Sequence, residues 1–579
     1  MVIRPASGLG RFCPLEPRAD SGRQRPIAYW GLKALMPTHR RILPRPESGV
    51  LRVVIAFVLL VSALGAGRAA TGSEPSLLAE SAAAQDRPNV VVIMTDDMRQ
   101  DDLRWMPNTR RLLAVAGARF TNSFAPYPLC CPARASFLTG QYTQNNGVWS
   151  NKPPFAFASL DDTGTLPVWL ENADYNTLFL GKYLNGYGGQ PLADGSSSVE
   201  YVPPGWTDWR AAAGGIPASD PNSGGTYRYF DMTLNINGEL EGNQGTYSTR
   251  LLGDQSVGLI RQYAPSDRPF FLWANYVAPH DGGPREADDP ARIRLADGRI
   301  TNIRTPAVQD RYKGRFDAEI TKAPGLPAEA DVSDKPIFIQ SLPPINQAER
   351  QAMREAARQR AESLAILDEE VADTIGALRQ AGELGNTVVM FTSDNGYFQG
   401  EHRMRQGKTL PYEPSLRTPL LIRGPGIPSG VTRSTPFLTI DFAPTILDVA
   451  NTPPPTSIDG QSLLTAAKTG GSGWGRPVLT LTGPQKTVAK ANDAGTPLEV
   501  EPVAAPAEPY TVGVRTQQYL YVEHRSGEIE LYNMRNDPEQ LDNLADVGRY
   551  SSTRQRLSTI LDDLRTCAGA DCRRKLSSW

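Results

Sequence analysis

Several polar clusters, each placed directly after an apolar run, carry residue types from which a reaction site can be built. Asp96-Asp97 follow the run Asn89 to Met94, and Asp394-Asn395 follow Thr387 to Phe391. Lys182 and His280 stand just past Thr177 to Leu180 and Phe270 to Val277. Three carboxylates and an amide offer oxygen ligands, which suit a hard cation: Ca²⁺ first, Mg²⁺ second, and zinc poorly. An acidic pair after a strand is more often a turn or a helix cap, so neither pair establishes a metal by itself. A further cluster is Cys130-Cys131-Pro132. Proline suits the first turn of a helix, which leaves residue 130 near that helix's N-terminus, where amide donors and the dipole attract an oxyanion.

The elements that must position these groups are legible in the apolar runs. All four runs are short, continuous and rich in Val, Leu and Phe, the pattern of strands buried on both faces of a largely parallel sheet. In open α/β sheets ligands bind beyond the carboxyl ends of the strands, so four polar exits spread over about 300 residues are expected to converge on one pocket. A helix is predicted from about Ala348 to Gln380, because Leu364, Leu367, Val371, Ile375 and Leu378 repeat at spacings of three and four. That stripe is core. Asp281 to Pro344 shows no sustained period and reads as a long excursion near the pocket mouth.

The organisation expected is a leader at residues 1–70, a linker at 71–87, a catalytic domain at 88–468, a linker or loop at 469–509 and a small C-terminal subdomain at 510–579. The last two divisions rest on a composition break at Thr469 to Pro477 and the Pro- and Ala-rich stretch Pro484 to Pro509. Beyond it, Tyr510 to Val514, Gln518 to Glu523 and Glu530 to Met534 read as strands of an antiparallel sheet, and Ser552 to Leu564 as a closing helix. In the leader, Arg40, Arg41, Arg45 and Arg52 precede the apolar run Val53 to Leu64 and small residues through Ala70, with Met36 an alternative start. The expected location is therefore exported: secreted, periplasmic or attached to the envelope. The run is short for a membrane span, so a membrane association requires an uncleaved leader.

Composition removes one large class. With 60 Lys and Arg against 62 Asp and Glu, no basic field advertises a nucleic-acid partner. Of the five cysteines, Cys567 and Cys572 are spaced for a small disulfide loop in an exported protein.

The stretch Leu129-Cys130-Cys131-Pro132-Ala133-Arg134-Ala135-Ser136-Phe137-Leu138-Thr139-Gly140 resembles the signature of type I, formylglycine-dependent sulfatases. The segment from Gly407-Lys408 through Arg417 to Gly426, and Glu530-Leu531-Tyr532 with Asp537-Pro538-Glu539, are also similar to parts of that family. The resemblance implies an alkaline-phosphatase-like α/β domain with a mostly parallel sheet, plus a small α+β domain. It implies that Cys130 is oxidised to formylglycine (3-oxoalanine) by a separate formylglycine-generating enzyme. It further implies that Asp96, Asp97, Asp394, Asn395 and the modified residue 130 hold Ca²⁺, and that Arg134 steadies the modified residue. Lys182, His280 and Lys408 are expected to contact sulfate, with His280 or Lys408 stabilising or protonating the leaving alkoxide. The nucleophile is then a hydrated aldehyde whose second hydroxyl, once deprotonated, releases sulfate.

Two positions depart from the pattern. Leu184 stands where many sulfatases have histidine two residues after the lysine, and Gln144 where some relatives have histidine. The group that deprotonates the hydrate is left open, with His402 a candidate. Gly181-Lys182-Tyr183-Leu184-Asn185, Val202 to Trp206 and Tyr229-Phe230-Asp231 resemble the N-acetylglucosamine-6-sulfatase and extracellular endosulfatase branch. That points to a small-molecule or glycan sulfate ester such as a 6-O-sulfated amino sugar. Trp206 and Trp209 would either stack on its ring or anchor the core. The alternatives are a broad arylsulfatase, a phosphonate or phosphate-diester hydrolase, and a silent glycan-binding protein.

Overall fold

The computed structural model describes residues 87–483 and 511–576, apart from 193, 295–297, 299 and 472. The leader, residues 71–86 of the linker and the Pro- and Ala-rich stretch 484–509 lie outside the described residues. Residues 74–579 fall in one compact unit.

Four buried strands make the middle of a ten-stranded sheet: Thr387–Ser393, Asn89–Thr95, Phe270–Asn275 and Asn176–Lys182, in that spatial order. All three pairings among them are parallel. Asp208–Ala212 continues the parallel arrangement, whereas Leu420–Arg423 on one side and Asp231–Ile236 on the other run antiparallel to it, and the edge strand Glu239–Gln244 pairs antiparallel with Asp231–Ile236. Every side chain of the four central strands is buried, which is why each reads as an unbroken apolar run.

Alternate residues serve opposite faces. Val91, Ile93, Leu180, Leu272 and Phe391 pack on the helices Ser248–Tyr263 and Gln347–Gln380 through Leu252, Leu259, Leu364 and Leu367. Val90, Val92, Phe179, Trp273 and Met390 pack on Phe137 of the helix Cys130–Thr139 and on Phe442 and Ile446 of Phe442–Val449. The long helix starts where a capping box closes it: Asn346 accepts from the Glu349 amide at 2.9 Å, and Glu349 accepts from the Asn346 amide at 2.7 Å.

The register levels the carboxyl ends. Thr95 faces Ser393, Met94 faces Asn275, and Gly181 also faces Asn275. Gly181 has φ of +90°, and a Cβ there would lie 2.0 Å from the Asn275 carbonyl oxygen, so only glycine lets Lys182 leave the strand at this row.

A four-stranded antiparallel sheet, Val478–Thr482, Thr511–Arg515, Tyr519–His524 and Ile529–Asn533, forms the C-terminal part with the helix Ser551–Leu564. Its first strand lies in the stretch assigned to a linker. One face packs on Leu557 and Leu561 of the helix and on Leu416 and Ile440 of the large body. The other face, through Leu520, Val522 and Tyr532, packs on Phe398, Met404, Leu410 and Tyr412. Cys567 and Cys572 form a disulfide.

Trp206 and Trp209 are core residues, and the stacking role is corrected. Trp209 sits inside the strand Asp208–Ala212, fully buried, its ring 4.3 Å from that of Phe179. Trp206, just before that strand, is buried as well, its ring 5.2 Å from that of Phe179. The excursion packs Ile320 and Leu326 on Met353 and Ala357 near the start of the long helix.

Candidate active site

The four polar exits do converge. Asp96 and Asp97 leave the Asn89 strand, and Asp97 turns sharply with φ of 66°, a left-handed conformation that aspartate tolerates better than most residues. The turn places its amide 3.2 Å from Asp394 Oδ1, across the top of the neighbouring strand. Asp97 Oδ1 accepts from Lys408 Nζ at 2.5 Å and from Asn395 Nδ2 at 2.6 Å, while Oδ2 lies 3.6 Å from His280 Nε2. Asp96 pairs with Lys182 Nζ through Oδ2.

Cys130 is the first residue of its helix, as the position of Pro132 predicts. Its thiol donates to Asp96 Oδ1 at 3.2 Å, and Lys408 Nζ donates to its sulfur at 2.8 Å. Arg134, one turn on and fully buried, spans three strand ends. Its Nε donates to Asp394 Oδ2 at 2.9 Å, and one terminal nitrogen donates to the Lys182 carbonyl at 2.9 Å and to Asn275 Oδ1 at 2.8 Å. The rigid fork of a guanidinium serves such divergent acceptors, which an ammonium would not.

Three carboxylates, Asp96, Asp97 and Asp394, thus meet three cations, Arg134, Lys182 and Lys408, with His280 beside them. Burial opposes ionisation of Asp96, yet Lys182, His280, Lys408 and Arg134 hold its carboxyl well below the usual range. Burial, with the charge of Asp96, pushes the Asp394 carboxyl up against the pull of Arg134. Burial also opposes the Lys182 charge, but Asp96 keeps its ammonium well above the ordinary value. Burial raises the Cys130 thiol far above its usual range, and Asp96 adds to this. As a cysteine, residue 130 is therefore protonated and a poor nucleophile.

Ligand atoms of Asp96, Asp97, Cys130 and His280 all lie within 4.8 Å of one another, so this buried cluster could hold a metal. Asn395 Oδ1, itself buried, has no hydrogen-bond partner among the described residues. An unsatisfied amide oxygen beside three carboxylates fits an oxygen-seeking cation such as Ca²⁺.

His280 is set from behind. Its Nδ1 lies 2.7 Å from the Asp281 carbonyl oxygen, which only accepts, so that nitrogen carries a proton and Nε2 is left facing Asp97. Its own carbonyl oxygen accepts from Tyr229 Oη at 2.7 Å.

His402 stands apart. Its Nδ1 lies 2.7 Å from Glu329 Oε2 and its ring 4.3 Å from that of Tyr412. It lines a separate cavity with Arg99, Glu329, Glu401 and, from the C-terminal part, Arg515 and Met534, and among the described residues its hydrogen-bond partner is Glu329, outside the cluster. Leu184 is core. Both amide atoms of Gln144 are buried without a partner among the described residues.

Three participants escaped the sequence reading. Asn275 receives Arg134, and its place at a strand end was the available signal. Arg360 donates to the Asp97 carbonyl at 2.6 Å and to the Pro279 carbonyl at 3.0 Å, from a helix whose pattern shows only a core stripe. Tyr227 places its ring 4.6 Å from that of His280, with Lys182 Nζ 5.1 Å from its centroid.

A family model described as Sulfatase matches residues 88–452. The N-acetylglucosamine-6-sulfatase of Homo sapiens is 30% identical over 527 residues, covering 85% of this chain and 87% of that protein. An extracellular sulfatase Sulf-1 homologue of Caenorhabditis elegans is 32% identical over 387 residues, covering 65% of this chain. The chain spans 48% of that relative's length. A solved structure described as being in complex with its substrate D-glucosamine-2-N,6-O-disulfate superposes with a TM-score of 0.63 at 21% identity, covering 84% of this chain and 98% of the other.

Proposed function

Since the chain belongs to the sulfatase family, we propose that it is an exported enzyme that hydrolyses a sulfate ester of a glucosamine-type sugar, using residue 130 as its nucleophile after conversion to formylglycine. The observation that carries the reading is the placement of Cys130 at a helix N-terminus, in contact with Asp96 and Lys408. A buried, protonated thiol has no evident use there, whereas an aldehyde hydrate at the same position supplies an oxygen nucleophile and, after transfer, a second hydroxyl that expels sulfate.

Asp96, Asp97, Asp394 and Asn395 are the residues that would hold Ca²⁺. When bound, the ion withdraws charge from the oxygens gathered around it. Lys182 and Lys408 bring two ammonium groups to the same spot, where sulfate oxygens take the place of their present contacts with Asp96 and Asp97. Arg134 fixes Asp394 and the exits of two strands, so that these groups need no reorganisation as charge develops. His280, with Nδ1 committed to the Asp281 carbonyl, presents Nε2 as the atom that carries a proton to the leaving oxygen. An alkoxide leaves poorly without that proton.

The sugar class rests on the glucosamine sulfatases among the relatives, and export on the extracellular relatives and the Cys567–Cys572 disulfide. Among the described residues no helix is long and apolar enough to cross a membrane. The test is hydrolysis of N-acetylglucosamine 6-sulfate by protein produced with a formylglycine-generating enzyme, alongside the mass of the peptide containing residue 130. Sulfate release together with a loss of about 18 Da from that peptide is the expected result. Sulfate release from protein whose Cys130 is wholly unmodified would overturn the nucleophile.

A further inference from the structure

Beside the proposed sulfate position lies a cavity of about 380 Å³, lined by Lys182, Asn185, Tyr227 and a wall that includes Gly214, Gly215 and Gly225. Its size falls in the range of small-ligand sites, about 300–1,000 Å³. Lys182 belongs both to this cavity and to the charged cluster, so the alcohol part of an ester whose sulfate meets Lys182 is directed into it. The glycine wall leaves room for a ring. A Cβ at Gly214 would find nothing closer than the Tyr187 carbonyl oxygen at 3.8 Å, and one at Gly225 only Arg228 Cγ at 4.0 Å.

Asn185 is a polar group in the lining of this cavity with a buried side-chain atom that has no hydrogen-bond partner among the described residues. Its carbonyl oxygen accepts from the Cys131 thiol at 3.8 Å and from the Phe157 amide at 3.3 Å, which ties its backbone to the helix of the nucleophile. Its side-chain Nδ2 donates to Tyr227 Oη at 3.0 Å. Its Oδ1 is buried and has no partner among the described residues. A buried, unspent amide oxygen costs stability unless a ligand completes it. Tyr227 meanwhile packs its ring against His280 and Lys182. One side chain therefore orients the proton-carrying imidazole, a sulfate-facing ammonium and the Asn185 amide together.

We infer that Asn185 is a specificity-determining residue: its Oδ1 accepts a hydrogen bond from an N–H or O–H donor on the sugar, and Tyr227 is the positioning residue that aims it. The inference rests on the sulfatase reading above and adds to it the group that distinguishes a sugar ester from an aryl one. An aryl sulfate has no ring donor for Asn185 and gains nothing from it. A site built to bond a donor rejects an analogue that lacks it, because its own polar atom is then left unpaired.

The experiment compares kcat/KM for N-acetylglucosamine 6-sulfate with that for 4-nitrophenyl sulfate, in wild type, Asn185→Ala and Tyr227→Phe. The sugar-to-aryl ratio is expected to fall about 10-fold or more in Asn185→Ala, mostly through KM, and by less in Tyr227→Phe, which keeps the ring but drops the amide's anchor. A ratio within about two-fold of wild type in Asn185→Ala would overturn the inference. Should that variant not fold, 2-deoxyglucose 6-sulfate and 3-deoxy and 4-deoxy analogues of the sugar ester on the wild type serve instead. A sharp loss with one analogue identifies the donor, and equal rates with all of them sink the proposal. Wild type that cleaves neither the sugar nor the aryl ester would defeat the sulfatase reading, a result distinct from an unchanged ratio.

Discussion

Tyr412 donates its hydroxyl to Glu530 Oε2 at 2.6 Å, joining the chain just after Lys408 to the C-terminal sheet. Glu530 also accepts from His524 Nε2 at 2.6 Å and from the Tyr532 hydroxyl, all within a fully buried environment. Together with the contacts of Leu520 and Tyr532 with Phe398 and Leu410, this makes the small sheet a backing for the loop between Asn395 and Lys408. Among the described residues the C-terminal part contributes no group to the cluster itself.

Glu530→Ala is expected to lower stability by about 3 kcal/mol, because it leaves three buried donors unpaired. The wild-type contact is also acid-sensitive. Burial opposes ionisation of Glu530, but His524, Tyr412 and Tyr532 outweigh it and hold its carboxyl below the ordinary value of 4.5. A depressed folded value means that the stabilisation is fully present above the unfolded value and is lost as pH falls through the folded one. Denaturant titrations between about pH 3 and 6 should show a smaller loss on acidification in Glu530→Gln than in wild type. Parallel curves would remove Glu530 from the account.

Cys130→Ala and Cys130→Ser should each reduce sulfate-ester hydrolysis by about 1,000-fold or more, since serine offers one hydroxyl and no geminal partner. Cys131→Ala, whose thiol bonds to the Asn185 carbonyl and to no group of the charged cluster among the described residues, should lose much less. A dead Cys131→Ala with an active Cys130→Ala would move the modified position.

Removal of divalent cations should lower both activity and the unfolding midpoint, and Ca²⁺ should restore both. Asp97→Asn takes away a charged ligand and also the partner of Lys408, so about 10–100-fold more Ca²⁺ should be needed for half-restoration. An unfolding midpoint indifferent to chelator, in protein shown by elemental analysis to have lost its metal, would count against the site.

Arg134→Lys keeps the charge but cannot reach Asp394, the Lys182 carbonyl and Asn275 at once. A loss of about 2–4 kcal/mol in stability with a lowered kcat is expected from thermal unfolding and steady-state rates. His402→Gln, by contrast, should leave kcat within about three-fold of wild type, because its hydrogen bond is to Glu329 outside the cluster. A large fall in kcat with a normal unfolding midpoint would restore His402 as the missing base.

The strands were readable because burial on both faces forces an unbroken apolar run, and their polar exits because charge after such a run is conspicuous. The long helix was readable to within one residue of its start, Gln347 against Ala348, since its apolar residues repeat every three or four positions. Signals failed where a role depends on a distant partner. Arg360 lies on the helix that covers the sheet and looks like any helical arginine until Asp97 and Pro279 arrive beneath it. Tyr227 sits in a glycine-rich loop with no period, and only the fold brings it to His280. Trp206 and Trp209 looked available because nothing local announced the strand Asp208–Ala212 that buries Trp209.

The burial of Cys130 sets a clock. No solvent reaches its side chain in the folded chain, so on the proposed conversion to formylglycine an oxidising enzyme has to find residue 130 before the sheet closes over it. Closure needs Thr387–Ser393, the strand that brings Asp394 alongside Asp97 and is made about 260 residues after Cys130. At about 5–20 residues per second, synthesis leaves roughly 13–50 s in which the cysteine is exposed yet cannot be locked away. On that reading the chain order times the conversion, and a circular permutant that makes Thr387–Ser393 before Cys130 would narrow that interval.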